Sequence, residues 1–462
     1  MITIGYCTKE IDPKYRDYLE KSCGLHKVEI IPFENPGTHS LTEAYNIILE
    51  QSTNDIVVLC HDDIYFEKKN WGSKLLKHFK RNPDYGILGA AGSKYLPKSG
   101  MWWEINTEMF GIVNHEKDGK KWTSKYSESK GSKIDDTIIV DGLFIALNKK
   151  NIKKTFNEDV KGFHFYDVDF SFRNFIEGVK IGVFYDIRIT HLSVGQTNEQ
   201  WNINRNEFVE RYKNNLPVLI PTEFKRKPIK NNEPLVSLPM PIYNYAKRLN
   251  PTIQSVFNQD YTNFEIVIVN DGSTDEYCLL KLDSLKNQDG IKVFHKENSG
   301  VSETRNRAVK ESIGDFILPL DADDMILQGY LKTAVSIIKN NPKISPVYCD
   351  THHVGEMRGL EKRPEWSKER LLSGPFIVNS SMYSREAFEK TEGYNTEMKG
   401  WVDYDLWVQM MDAGFTGKRI PKGLFIYFHH EGEGEGSVST SARNNMQELH
   451  KVILDRHKTR VE

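Results

Sequence analysis

Two stretches of the 462-residue chain close an apolar run with a cluster of acids. "VVLCHDDIYF" (Val57 to Phe66) ends in Asp62 and Asp63, and "FILPLDADDMI" (Phe316 to Ile326) carries Asp321, Asp323 and Asp324. Carboxylates gathered this closely suit a hard divalent cation, which takes oxygen ligands from one or two acids and completes its shell with phosphate oxygens and water. The plain alternative is that they cap the next helix or stay solvated. Three acids directly after an apolar run make that alternative weaker in the later stretch.

The elements around the clusters repeat. "THSLTEAYNIILEQSTNDIVVLCHDDIYF" and "SGVSETRNRAVKESIGDFILPLDADDMI" share an order of polar turn, helix, strand and acids, with Asn46 lying 16 residues before Asp62 and Asn306 lying 17 before Asp323. Further on, "FHFYDVDFSFR" matches "KGWVDYDLWVQ", setting Asp167 with Asp403 and Asp169 with Asp405. A histidine follows each: His191 in "ITHLSVG" comes 24 residues after Asp167, and His429 comes 26 after Asp403, with His430 beside it in "YFHHEGEGEGSVS". An internal duplication is the economical explanation.

Short β-rich runs alternate with helix-length segments in both halves, "MITIGY", "VEIIPF" and "DIVVLC" in the first, "LVSLPMPIY", "FEIVIVN" and "DFILPL" in the second. That alternation predicts βαβ units in a sheet buried on both faces. "SLTE" predicts a capping box of Ser40 and Glu43, and "LNPTIQSVF" an N-cap at Asn250 with Pro251 opening the helix. Pro239 falls inside an expected central strand, where its missing N–H is unusual. Between the halves, residues 217–234 have linker composition, with four prolines across Pro217 to Ser237. The expected organisation is therefore a domain over 1–216, a linker over 217–234 and a second domain over 235–462.

Composition narrows the classes. With 39% hydrophobic and 11% aromatic residues the chain can bury substantial cores, and 62 basic against 64 acidic residues give no reason to expect a nucleic-acid partner. Five cysteines with no C-x-x-C pair fit a reducing compartment better than a disulfide framework or a zinc site. The start "MITIGYCTKE" lacks the layout of a signal peptide, and no apolar run reaches the ~18 residues of a membrane span. The expectation is a cytoplasmic protein, with peripheral contact at the inner face of a membrane left open.

The second half, through "PIYN", "VNDGSTD", "ENSGVSETRN", "LDADD", "WVDYDLW" and "HHEG", resembles the family-2 glycosyltransferases of the GT-A fold. Those motifs keep the family's order from Pro234 to about Lys458. The first half, through "NPGTHSLTEAYN", "HDD", "VDGLFIA" and "FYDVDFSFR", resembles a divergent glycosyltransferase-like group associated with streptomycin biosynthesis. The resemblance implies an α/β fold of two tandem GT-A domains, each Rossmann-like with a mostly parallel sheet and flanking helices. It also implies a metal-dependent, inverting transfer of sugars from a nucleotide-diphospho-sugar, a UDP-sugar foremost, to a glycan or glycolipid acceptor in surface polysaccharide or glycoconjugate synthesis. The layout is similar to two-domain bacterial synthases that alternate two sugars.

On that resemblance Asp271 meets the nucleotide base, Asp321 lies nearer the ribose, Arg305 adds positive charge by the phosphates, and Asn46 takes the corresponding place in the first half. Mn²⁺ or Mg²⁺ would be held by Asp323 with His429 or His430, and in the first half by Asp62 with His191. Asp403 and Asp167 would be the bases that remove the acceptor hydroxyl's proton. Val402 stands where the family more usually has a glutamate. In the first half Tyr45 replaces the arginine and Cys60 the first acid, so a second reading keeps catalysis in the C-terminal domain and makes the other an acceptor-binding or scaffolding module. A nucleotidyltransferase would need a glycine-rich phosphate loop after the first strand, which neither half has. A glycoside hydrolase would use paired carboxylates without a nucleotide site. Trp102 and Trp103 could stack on sugars but read more naturally as core. The amphipathic segment around Met446, Leu449, Val452 and Ile453 could meet a membrane or a partner, with packing on its own domain the plainer use.

Overall fold

The computed structural model describes residues 1–127, 133–193, 195, 197–230, 233–429 and 446–461. Two compact units divide the chain, 1–220 and 221–462. The segment expected as a linker is shared between them. Val218 and Leu219 pair with Leu96 and Tyr95 of the first unit, while Lys227 and the Lys230 N–H bond to Gln259 and Thr262 in the second.

The first unit is built on a seven-stranded sheet. Its order is Ile134–Thr137, Lys180–Phe184, Tyr85–Gly89, Phe144–Asn148, Ile56–Cys60, Thr3–Thr8, Glu29–Glu34. The last three run parallel, joined by the Pro13–Cys23 and Leu41–Gln51 helices. Ser40 and Glu43 close the predicted capping box at the start of the second helix. Phe144–Asn148 enters antiparallel to both neighbours and Ile134–Thr137 antiparallel to Lys180–Phe184, while the other five strands run the same way. Alternate residues of Ile56–Cys60 feed opposite cores: Val58 and Cys60 join Tyr6, Trp71 and Phe144, and Val57 and Leu59 join Tyr45, Ile48 and Phe170. Burial on both faces explains why the run is apolar throughout. The chain then crosses to a second sheet, in which Ile64–Phe66 lies antiparallel to Ile189–His191 with Ile64 opposite His191. That pairing brings the first acid cluster to a histidine. Trp102 is buried against the same cluster as Trp201, while Trp103 is exposed.

In the second unit a five-stranded sheet runs Ile291–Lys296, Phe264–Asp271, Val236–Ile242, Phe316–Ile317, Tyr383–Ser384, the first four parallel and the last antiparallel. Pro239 does sit in the central strand. Ser237 and Pro239 turn their carbonyls to Leu318 and Leu320, so in a parallel ladder the missing N–H groups of Pro239 and Pro241 face that same side. The seven-residue ladder to Phe264–Asp271 is left whole, while the one to Phe316–Ile317 pairs only Val236 and Ser237. The N-cap position of the Leu249–Phe257 helix is Arg248, not Asn250, and the Arg248 side chain makes no capping bond. Pro251 therefore lies within the first turn, where its absent N–H was one of the helix's unpaired donors anyway.

A smaller sheet carries Met325–Ile326 against Thr416–His429, which also runs beside Ile344–Gly355. The Met446–Val461 helix packs on its own unit: Ile453 is fully buried with Tyr404 and Trp407, and His457 holds Asp412 at 2.5 Å. No helix among the described residues is long and apolar enough to cross a membrane.

Candidate active sites

Beyond the carboxyl ends of the second unit's parallel strands, where open α/β sheets place ligands, lies a cleft of ≈ 820 Å³. Asp271, Arg305, Asp321, Asp323, Asp324 and Asp403 all line it. Asp271 ends the Phe264–Asp271 strand and is buried, accepting the Ser299 N–H at 2.9 Å and the Gly300 N–H at 3.0 Å, with the Lys296 ammonium on the first oxygen. It thereby fastens the entry of the Val301–Glu311 helix. From that helix Arg305 donates through one Nη to both Asp321 oxygens, at 2.9 and 3.0 Å. Burial alone would make Arg305 easier to deprotonate, but Asp321 outweighs it and raises the guanidinium's pKa further.

Asp324 is buried and accepts the Phe428 N–H at 3.2 Å. Burial first, then the charges of Asp323 and Asp321, push its carboxyl well above the ordinary range. Such crowding of like charge is what a bound cation relieves, so the acid cluster fits a divalent ion held by oxygen. Asp403 lies in the first turn of the Val402–Asp412 helix, which Trp401 opens from a left-handed backbone at φ 52. Burial raises its pKa, with Arg305 pulling the other way.

His429 ends the Thr416–His429 strand and faces His353 across 2.8 Å; the other nitrogen of His353 meets Glu361 at 2.8 Å. It is not among the residues lining the cleft. His430 and the glycine-rich stretch after it lie outside the described residues.

In the first unit the only group of three or more potential metal ligands among the described residues is His61, Asp63 and His191. His191 Nε2 stands 3.2 Å from Asp63 Oδ1 and 3.2 Å from His61 Nδ1, with Ser193 Oγ at 3.0 Å. The far nitrogen of His61 bonds the Tyr166 hydroxyl at 2.8 Å. Burial lowers the pKa of His61, and the neighbouring His191 lowers it further. Asp63 is pulled down to about 2 despite burial, because His191 and Ser193 bond its carboxylate. Asp62, the expected ligand, is exposed and outside the cluster. Asp63, which directly precedes the residue paired with His191, is the acid that lies beside that histidine.

Asp167 occupies the same helical position as Asp403, in the first turn of Tyr166–Ile176 after a left-handed Phe165 at φ 66. It accepts the Gly142 N–H at 2.9 Å. Burial, then the charge of Asp141, push its carboxyl up to about 7.

The duplication extends to supporting contacts. Asn46 clamps both backbone groups of Phe156, and Asn306 does the same to Tyr394. The Asn46 carboxamide, expected at the nucleotide, also meets Glu158, so its contacts here are to a loop of its own domain. Buried Asp169 pairs with Arg211 at 3.0 Å and buried Asp405 lies 3.7 Å from Arg456, each arginine on its unit's last helix. The histidines are not equivalent in register: His191 faces Ile64, whereas Ile426 faces Met325, leaving His429 three residues further along its strand. His61, Asp63 and Tyr166 escaped the sequence reading. The one available signal was an imidazole where the second half has Ala322.

A family model described as "Glycosyltransferase like family" matches residues 14–216, and one described as "Glycosyl transferase family 2" matches 237–395. The chain is similar to a chondroitin synthase of Escherichia coli, 27% identical over 39% of this chain and 27% of the relative. It is also similar to a hyaluronan synthase of Pasteurella multocida, 26% identical over 58% of this chain and 29% of the relative. The matches thus span less than a third of either relative. Among solved structures, S. aureus TarS 1-349 in complex with UDP-GlcNAc aligns with a TM-score of 0.38 at 24% identity, over 44% of this chain and 60% of that one.

Proposed function

The chain belongs to the family-2 glycosyltransferases, with two glycosyltransferase domains in tandem, and we propose that both domains transfer sugars. The donors are nucleotide-diphospho-sugars, UDP-sugars foremost, and the acceptor is a growing glycan or glycolipid of a surface polysaccharide. The observation that carries this reading is the matched pair Asp167 and Asp403: each opens a helix, and in each the proton affinity is raised. A carboxylate tuned toward neutral pH is suited to taking a proton from a hydroxyl.

In the second domain, Asp271 has three of its roughly four lone-pair sites in use, which leaves one on Oδ2 for a base N–H. Arg305 supplies fixed positive charge beside the diphosphate, and its pairing with Asp321 keeps the guanidinium oriented before the donor arrives. Asp323 would hold Mg²⁺ or Mn²⁺ with Asp324 behind it, and His429 enters only if its strand end shifts. When bound, the ion neutralises the departing diphosphate. As the acceptor oxygen bonds to the anomeric carbon and the carbon–oxygen bond to the diphosphate breaks, Asp403 takes the hydroxyl proton. A single displacement of this kind inverts the anomeric centre. Asp167 plays the same part in the first domain.

The second reading confines catalysis to the C-terminal domain and makes the first an acceptor-binding module; the replacement of the Arg305–Asp321 pair by Tyr45 and Cys60 favours it. The test is a donor screen on the intact chain with Asp167→Asn and Asp403→Asn, measuring nucleoside-diphosphate release and glycan product. Each variant is expected to abolish transfer from one donor and spare the other. If Asp167→Asn spares every transfer step, the second reading replaces the first.

A further inference from the structure

The two acid clusters differ in ligand chemistry. Among the described residues lining its cleft, the second domain offers carboxylates as ligands, which suit Mg²⁺ or Mn²⁺. The first offers two imidazoles and one carboxylate, with Asp62 outside the group. We propose that His61, Asp63 and His191 form a binding site for a borderline transition-metal ion, of the Zn²⁺ or Co²⁺ class, so that the two domains load different cations.

Geometry supports the site in three ways. Ligands held at ~2.1 Å in tetrahedral order stand roughly 3.4 Å apart, and the three potential ligand atoms stand 3.2, 3.2 and 4.0 Å apart. His191 Nε2 carries either one hydrogen or one lone pair, yet both His61 Nδ1 and Asp63 Oδ1 stand 3.2 Å from it. A single hydrogen bond cannot satisfy both, whereas one ion can gather all three ligand atoms. Finally, His61 is oriented by its Nε2 bond to the Tyr166 hydroxyl at 2.8 Å, which turns Nδ1 toward the cluster. Histidine ligands are characteristically fixed through the other ring nitrogen in this way.

The site rests on the reading that the first domain handles a nucleotide diphosphate, but its test uses neither nucleotide nor sugar, so loss of transfer and loss of metal binding are separable. The intact chain is stripped with a chelator and titrated with Co²⁺, following the visible d–d absorption. One equivalent of Co²⁺ is expected to give intense bands that one equivalent of Zn²⁺ displaces and millimolar Mg²⁺ does not. His61→Ala should abolish the bands, and Asp62→Asn and Asp323→Asn should keep them. Tyr166→Phe, which preserves packing, should weaken Co²⁺ binding about 10- to 100-fold. Bands absent from the wild type, bands that survive His61→Ala, unchanged affinity in Tyr166→Phe, or bands lost in Asp62→Asn or Asp323→Asn would each overturn the site.

Discussion

Asp167 makes the sharpest prediction because its stability and activity should move in opposite directions with pH. Its carboxyl rises from 3.8 to about 7, through burial first and the charge of Asp141 second. The folded chain therefore holds a proton here that the unfolded chain releases above pH 4. Since the unfolded state binds fewer protons across that window, stability is fully present below the unfolded value and is lost as pH climbs through 7. At about 1.4 kcal/mol per tenfold change in proton affinity, the loss is at most ~4 kcal/mol, and roughly half that once the partial exposure of Asp167 is counted. Transfer by the first domain behaves oppositely, because only the ionised carboxylate accepts a proton. With the second domain silenced by Asp403→Asn, kcat/KM should rise with a midpoint near 7 at one fixed cation concentration. The perturbation is Asp141→Asn, which can keep the Leu143 N–H bond that Asp141 accepts at 3.1 Å while removing the like charge. The midpoint should fall by roughly one pH unit, the size of a ~1.4 kcal/mol charge interaction. Asp167→Asn should remove the slope of stability between pH 4 and 7. An activity limb that ignores Asp141→Asn would refute Asp167 as the titrating base.

Four further outcomes follow from contacts within the two domains. Asp321→Ala strands the buried Arg305 guanidinium and should cost about 3–5 kcal/mol, read as a lower urea midpoint. The double change Arg305→Tyr with Asp321→Cys, copying Tyr45 and Cys60, should cost less than the two single changes summed. Asn46→Ala leaves both backbone groups of Phe156 without their partner and should cost ~1–3 kcal/mol without changing the donor KM. Ile453→Ala should cost about 2–5 kcal/mol, since Ile453 is fully buried where the last helix meets its domain; an unchanged thermal midpoint would deny that the helix is part of the domain.

The sequence made the repeat legible because its signals are local: a capping box, a helix opening on Asp-x-Asp, an asparagine at a fixed interval before the acids. Strand direction was not legible. Phe144–Asn148 is as apolar as a parallel strand, and burial on both faces leaves nothing in the pattern to mark which way the chain runs. Register was equally hidden. Ile64 pairs with His191 but Met325 with Ile426, three residues before His429, an offset that no motif marks. The choice between Asp62 and Asp63 depended on the antiparallel partner of Ile64, a contact 127 residues distant in the chain that no motif encodes.

The first domain's two departures, tyrosine for arginine and cysteine for aspartate, looked like separate losses. In the structure they are one exchange. Arg305 and Asp321 form an ion pair, and at the matching places the Tyr45 hydroxyl reaches the Cys60 carbonyl at 3.3 Å. Removing either charge alone would have left its partner poorly compensated, at a cost of several kcal/mol for the buried guanidinium; removing both together leaves a neutral hydrogen bond and an apolar wall. What the exchange takes away is one fixed positive charge near the expected diphosphate. The nearby substitution of His61 for the position of Ala322 adds a potential ligand where that charge is missing, so on the proposed reading a cation at His61, Asp63 and His191 would take over the role of that charge. It follows that stripping metal should silence the first domain more completely than the second, which keeps Arg305.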